Sequence, residues 1–450
     1  MKIKLSETNA CVFFMTLLVF LDMEPFFVWS SVSPLGYRIY TAVIVITTVF
    51  MGYMAFLKKH YVASPIPGVR ERNRVPAPLL VASATIVVLF FYKVYVSGVV
   101  TRTQQPFNMA MLCIHLGLML FALQDNVTLR RVFILSKKIF AITLIPSIFV
   151  FLLLQVGFPV PVTSLTADAG KDMVGQSYQL YLGTATMIQN SGVLLNRVCG
   201  IYREPGFVGT IGVLFLLGDK MSLRKWENAV ILVACIFTFS LAFIVMLILG
   251  ILLRSIGNMK KKSSMIISLA LILLIVVGYF VFMHLPLDES SMLGELQGRL
   301  EITDEGLAGD NRFGSSIWAM DAYDAFLKSS TRVKMLGYGE DLRIIPGTKV
   351  SIWQTVHSYK EFVFAYGFVG LIILVFNFLS TVILKYRKVP KYRFWNILVL
   401  LVVFIVSIYQ RYGVDSFHYY CVLFGGASNL ALLDIKDVDD KKEVVFRWKK

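Results

Sequence analysis

Arg203 and Glu204 stand side by side immediately before an apolar run that extends from Phe207 to Gly218. Arg197 and Tyr202 lie in the same approach, Asn196 to Phe207. A guanidinium fork binds phosphate oxygens in pairs, and a helix N-terminus adds backbone donors for the same anion. The stretch is therefore suited to holding a phosphate-bearing group. The plain alternative is local. Pro205 fits the first helical turn, and an acid there complements the helix dipole, so Glu204 would be a cap and Arg203 a headgroup anchor. Charge at the margin of a membrane span is by default functional, and we take Arg197, Tyr202, Arg203 and Glu204 as candidate site residues.

Two further groups follow along the chain. Arg312, within Asp310 to Ser315, precedes an expected helix and is a second candidate anion ligand. Taken alone it reads as a solvated arginine paired with Asp310. His357, within His357 to Glu361, precedes another apolar run. A histidine titrates near neutrality and can take a proton from a hydroxyl; the competing reading is an interfacial or capping residue. Arg332 and Tyr338, between these two groups, complete the candidate substrate contacts.

The elements that must position these residues are membrane helices. The chain is 57% hydrophobic and only 16% charged over 450 residues, less charge than a soluble domain of that length carries. Apolar runs fall at roughly 9–29, 38–57, 78–97, 107–124, 139–157, 204–218, 228–239, 241–256, 264–283, 361–384, 394–411 and 415–433. The expected fold class is an all-α, polytopic membrane protein of about twelve spans, with both termini cytoplasmic. The formal net charge of +16 collects in short loops, at Lys58 to Arg74, Arg130 to Lys138, Lys260 to Lys262 and Lys385 to Arg393. That is the positive-inside pattern rather than a nucleic-acid surface.

Residues 228–253 decide the sidedness. Basic residues flank both ends, Lys220, Arg224 and Lys225 before and Arg254 and Lys260 to Lys262 after. One crossing would export a basic cluster; two short helices turning at Thr238-Phe239-Ser240 keep both inside. The expected organisation is then 1–283 as transmembrane helices with a short outer loop at 158–203, 284–360 as a large outer loop, 361–433 as further helices and 434–450 as a cytoplasmic tail. Ser315 to Ser330 should form a short helix with Trp318, Ala319, Ala322, Tyr323 and Phe326 on one apolar face. Asp22 and Glu24 could pair with Arg411 or Lys93, Arg411 and Asp415 could bridge each other, and His115 reads as a satisfied interhelical histidine. The five cysteines offer no disulfide pair on one side and no metal-ligand spacing, and no nucleotide-binding loop or nucleophile elbow appears. No metal and no cofactor are implied.

At these residues the chain resembles the bacterial O-antigen polymerase and O-antigen ligase superfamily. Asn196 to Gly209 is similar to the family's R…EP motif entering a helix, and Thr238-Phe239-Ser240 to its break between two short helices. Asp310 to Gly339, with Arg312, Trp318 and Leu336-Gly337-Tyr338-Gly339, followed by His357-Ser358 and Gly367 to Gly370, resembles its outer loop and returning span. The similarity covers roughly residues 190–375; the first half matches only in being hydrophobic. The resemblance implies a glycosyltransferase of the inner membrane that polymerises undecaprenyl-diphosphate-linked repeat units on its outer face. Arg203 and Arg312 would hold the diphosphate, and His357 would be the base. Membrane lipids are its surroundings, and a chain-length regulator and a flippase would be partners. Asparagine often follows the histidine in the ligases; Ser358 follows here, and Glu204 is present, which favours the polymerase.

Two other readings are weighed. A ligase moving polymer to lipid A core differs only in acceptor. A lipid-linked oligosaccharide transporter or flippase would suit the number of spans, but such proteins often carry internal repeats and mid-membrane charges. No repeat is visible here, and the candidate charges lie at one margin.

Overall fold

A computed structural model describes residues 7–28, 33–57, 61–63, 70–72, 75–97, 105–165, 176–182, 185–190, 193–257, 266, 270, 273, 277–288, 294, 297–298, 300–303, 306–307, 317–339, 358–409, 411 and 413–432. The architecture is mainly helical. In order come α1 (Glu7–Asp22), α2 (Pro34–Gly52), α3 (Ala77–Ser97), α4 (Gln105–Leu123) and α5 (Asn126–Gln155). Then follow α6 (Pro205–Gly218), α7 (Trp226–Phe237), α8 (Leu241–Gly257), α9 (Ile317–Lys328) and α10 (Thr331–Leu336). The last are α11 (Tyr359–Tyr386), α12 (Lys391–Ser407), α13 (Phe417–Tyr420) and, after a π turn, α14 (Gly426–Ala431). Four helices are long and apolar enough to cross a membrane: Leu35–Leu57, Ala77–Ser97, Asn126–Gln155 and Tyr359–Tyr386. The chain is a membrane-associated helical protein.

Local chemistry explains where these helices begin. Ser33 caps α2, accepting the Gly36 amide at 3.1 Å, with Pro34 in the first turn. Asp125 caps α5, accepting from Val127 and Thr128 at 3.0 and 2.9 Å. Ser358 caps α11 through the Lys360 amide at 3.3 Å.

Helix α6 is the centre. All its residues but Phe207 are buried, so it is apolar all round and sheathed by other helices. It packs against α7, α8, α12 and α14. Gly212 makes room for Cys235, since a Cβ there would collide with the Cys235 sulfur. The break at Thr238 to Ser240 is present, with Phe239 at φ 47°. Gly212 meets Ile231 and Cys235, Gly209 meets Ser240 and Phe243, and Gly250 meets Leu217. Helix α7 therefore runs back along α6 and α8 forward again, the hairpin that the basic flanks require.

The expected outer loop before α6 carries structure of its own: Val162–Leu165, Gln176–Tyr181, Ala185–Asn190 and Val193–Gly200 form an antiparallel four-stranded sheet, in chain order. Its last strand, with bulges opposite Thr186/Met187 and Ile188/Asn190, delivers Arg197. The sheet is rooted where Val150, Phe151, Tyr181 and Val198 pack with Phe237 and Phe239. The expected helix near Ser315 is α9, and its apolar face lies on α11: Phe326 is buried against Val363 and Phe364.

Candidate functional site

Gly200, at φ 67°, turns the chain off the sheet, and the Ile201 carbonyl accepts the Phe26 amide at 2.9 Å. This junction ties the stretch before α6 to the segment after α1. It places the four candidate residues very differently. Tyr202 is fully buried, its ring on Phe140 and Phe207 and its hydroxyl 2.8 Å from that of Thr143. Tyr202 is held in place by packing. Arg197 is 9% exposed, and its guanidinium donates to the carbonyls of Thr238 at 2.9 Å and Phe239 at 3.4 Å. It satisfies the orphan carbonyls at the end of α7, which a break between helices would otherwise leave bare. Arg197 thus braces the break between α7 and α8.

Glu204 occupies the N-cap position of α6, yet its carboxylate makes no capping hydrogen bond and instead pairs with Arg411. The expected cap is replaced by an ion pair to the segment after α12, with both side chains mostly buried. Arg203 is the exposed member. Its guanidinium stands 3.5 Å from the exposed Glu24 carboxylate. Glu24 pairs with Arg203, and Glu204 with Arg411.

Two more ionic groups belong to this end of α6. Asp22 accepts the Tyr40 hydroxyl at 2.5 Å, the His418 amide at 2.8 Å and His418 Nδ1 at 2.7 Å. The His418 ring stands edge-on to Phe207, 5.1 Å between centroids. Asp415 pairs with Lys93, and His115 Nε2 lies 3.5 Å from the same carboxylate. So Asp22 takes neither Arg411 nor Lys93, and Asp415 does not bridge Arg411. His115 is buried, with Nδ1 2.8 Å from the Met111 carbonyl of its own helix; Nε2, expected to be satisfied between helices, makes no hydrogen bond among the described residues.

The start of α11 reaches the same region. The Tyr359 amide donates to the Tyr409 carbonyl at 3.3 Å, and the two rings stack at 5.3 Å. His357 and Arg312 lie outside the described residues. Arg332 is exposed on α10. Tyr338 is held by packing, its ring against Phe326 and Phe364 and its amide on the Phe364 carbonyl at 2.9 Å. Gly337 and Gly367 face each other there at φ 85° and 63°; a Cβ on Gly337 would strike the Ala365 carbonyl and one on Gly367 the Met335 carbonyl. The Leu336 to Gly339 motif therefore docks the outer segment onto a kink in α11. The Tyr92 hydroxyl fills that kink, donating to the Tyr366 carbonyl at 2.8 Å.

Sequence reasoning passed over His418. The only signal was a histidine inside the last apolar run, three residues after Asp415. At the opposite end of α6 a second network, buried except for Lys225, holds Lys137, Asp219, Lys225, Glu227 and Asn228. Burial alone would raise the Asp219 carboxyl, but the hydrogen bonds and charges of Lys137 and Lys225 outweigh it and hold Asp219 below the usual carboxylate range. Among the described residues no group of three or more His, Cys, Asp and Glu side chains is arranged to hold a metal ion. No family model matches the chain, and no curated protein matches it.

Proposed function

We propose that this chain is a multi-pass enzyme of the bacterial inner membrane that joins lipid-diphosphate-linked oligosaccharide repeat units on the outer face. One observation carries the reading. At the head of α6 the ionic side chains pair in the interior, Glu204 with Arg411, Asp22 with His418 and Asp415 with Lys93, while Arg203 is left at the surface. Its contact with Glu24 is long, and both groups are solvated. Such a pair is worth about 0–1 kcal/mol, so a doubly charged phosphate group competes easily for the guanidinium. The start of a helix adds a favourable field for the anion.

The transfer needs little else. An acceptor hydroxyl attacks the anomeric carbon as a base takes its proton, and the lipid diphosphate leaves with the bonding electrons. Arginine, always charged, stabilises that departing group. The energy lies in the glycosyl-phosphate bond of the donor, so no ATP is consumed. Arg312 and Arg332 are further anion ligands in this scheme, and Glu204 keeps Arg411 in place. Undecaprenyl-diphosphate glycans are the substrates, with a flippase supplying them and a chain-length regulator acting on the product.

Deletion of the gene and gel analysis of envelope glycans test the reading. Loss of long chains, with a single repeat retained on the core, is the expected result. Loss of every repeat from the core, with polymer still lipid-linked, makes the chain a ligase. Repeat units trapped on the inner face make it a transporter, and an unchanged glycan profile defeats the proposal.

A further inference from the structure

We propose that His418, held by Asp22, is the base that takes the proton of the acceptor hydroxyl. The inference rests on the glycosyl-transfer reading above and gives the proton to His418 in place of His357, the base that the resemblance implies.

The geometry selects the tautomer of the neutral ring. An ionised carboxylate only accepts hydrogen bonds, so the 2.7 Å contact between Asp22 and His418 Nδ1 is made by a proton on Nδ1. In the neutral ring the lone pair is then on Nε2. The arrangement is held from several sides. The same Asp22 oxygen accepts the His418 backbone amide at 2.8 Å, so the carboxylate fixes both the chain and the ring. The other oxygen takes the Tyr40 hydroxyl at 2.5 Å. A base whose ring is oriented by a carboxylate is the recurring arrangement of acid–base sites. Here it is assembled from α1, α2 and α13, so it is specific to the folded bundle.

Its location matches the chemistry. Phe207, four residues beyond Arg203, packs its ring edge-on to His418. Glu24, two residues beyond Asp22, is the Arg203 contact. The dyad and the exposed guanidinium are thus tied to the same two short segments of backbone. The His418 side chain is 10% exposed, which shelters the ring from bulk water without sealing it. Ser416 does not turn the dyad into a nucleophilic triad. Its Oγ is 3.3 Å from both ring nitrogens, so it lies beside the edge between them and off the axis of the Nε2 lone pair.

In the step, the acceptor O–H gives its proton to Nε2 as the oxygen forms its bond to the anomeric carbon. The bond from that carbon to the diphosphate breaks, and the diphosphate departs as an anion beside Arg203. The proton then leaves His418 for water or for the departing phosphate. Asp22 stabilises the imidazolium that exists between the two events.

The test uses the full-length protein in lipid vesicles with a lipid-diphosphate oligosaccharide as substrate. His418→Asn places a side-chain N–H where Nδ1 stood, so Asp22 keeps a partner, but no basic nitrogen remains. The expected result is a loss of kcat of roughly 100-fold or more, with donor KM changed by no more than a few fold. Asp22→Asn retains the ring but no longer imposes its tautomer, and should also lower kcat. Turnover of His418→Asn within a few fold of wild type overturns the base assignment while leaving the reaction itself standing. Failure of the wild-type protein to polymerise, with Arg203→Ala binding the donor as tightly as wild type, overturns the reaction and the base together. Accumulation of His418→Asn at wild-type level with an unchanged melting profile separates lost chemistry from lost fold.

Discussion

Two acidic residues at the head of α6 have opposite duties, and substitution separates them. Glu24 is at the surface beside Arg203, whereas Glu204 is buried against Arg411. Removing one partner of a buried pair leaves an uncompensated charge and costs about 3–5 kcal/mol. Glu204→Ala should therefore lower the amount of folded protein, and a Glu204→Leu, Arg411→Met double variant should recover part of it. Membrane abundance and melting temperature check both; equal stability of Glu204→Ala and wild type would remove the pair from the fold's supports. Arg203→Ala should behave in the reverse way. It should accumulate normally yet make no polymer in a glycan gel, and Arg203→Lys should rescue poorly because a point charge does not replace a fork. Full polymer from Arg203→Ala would reduce Arg203 to a headgroup anchor.

At the scale of elements, the contact between the outer segment and α11 depends on two glycines. Both Gly337 and Gly367 have positive φ, and each backbone fills the space a side chain would need on the other. Strained backbone of this kind costs of order 1–3 kcal/mol per residue, before the collision is counted. Gly367→Ala should loosen α9 and α10 from α11 and speed proteolysis of the outer segment, with α5 unaffected. Cleavage at the wild-type rate would show that the kink tolerates a side chain. The helices themselves were legible because long apolar runs leave few alternatives. The hairpin of α7 and α8 was legible because basic residues flank both ends. The sheet before α6 was not, since its strands are short and carry no sustained alternation. Nor could six residues of spacing tell that Arg197 turns inward and Arg203 outward: that choice is made by the carbonyls of Thr238 and Phe239, which belong to another element.

At the scale of the molecule, two ionic clusters sit at opposite ends of α6, about 20 Å apart at 1.5 Å per residue. On the positive-inside rule the Asp219 end is expected in the cytoplasm and residues 284–360 outside. Single cysteines at Ser290 or Thr348 should react with an impermeant reagent in intact spheroplasts; protection of both until lysis would sink the topology and the site built on it. The Asp219 carboxyl is held low, so its contribution is fully present above the ordinary carboxylate pKa and is lost as pH falls through the lowered one. Melting in detergent should fall on acidification, and Asp219→Asn should flatten that dependence while lowering stability at neutral pH. A wild-type acid slope in Asp219→Asn would place the sensitivity elsewhere. The partners in these clusters were the least legible part of the chain. A sequence shows which charges are unusual, but Asp22 and His418 are 396 positions apart, and only the closed bundle selects the pair.

That separation also sets an order of events during synthesis. At roughly 5–20 residues per second, a ribosome adds His418 some 20–80 s after Asp22. Glu204 waits in the same way for Arg411, and the Asp219 carboxylate for the Asn429 amide 210 positions later. Until the last helices emerge, the charges of the early ones are without these partners. The nascent bundle must meanwhile be shielded by the insertion machinery or by water, and quality control has a simple mark of incompleteness to read.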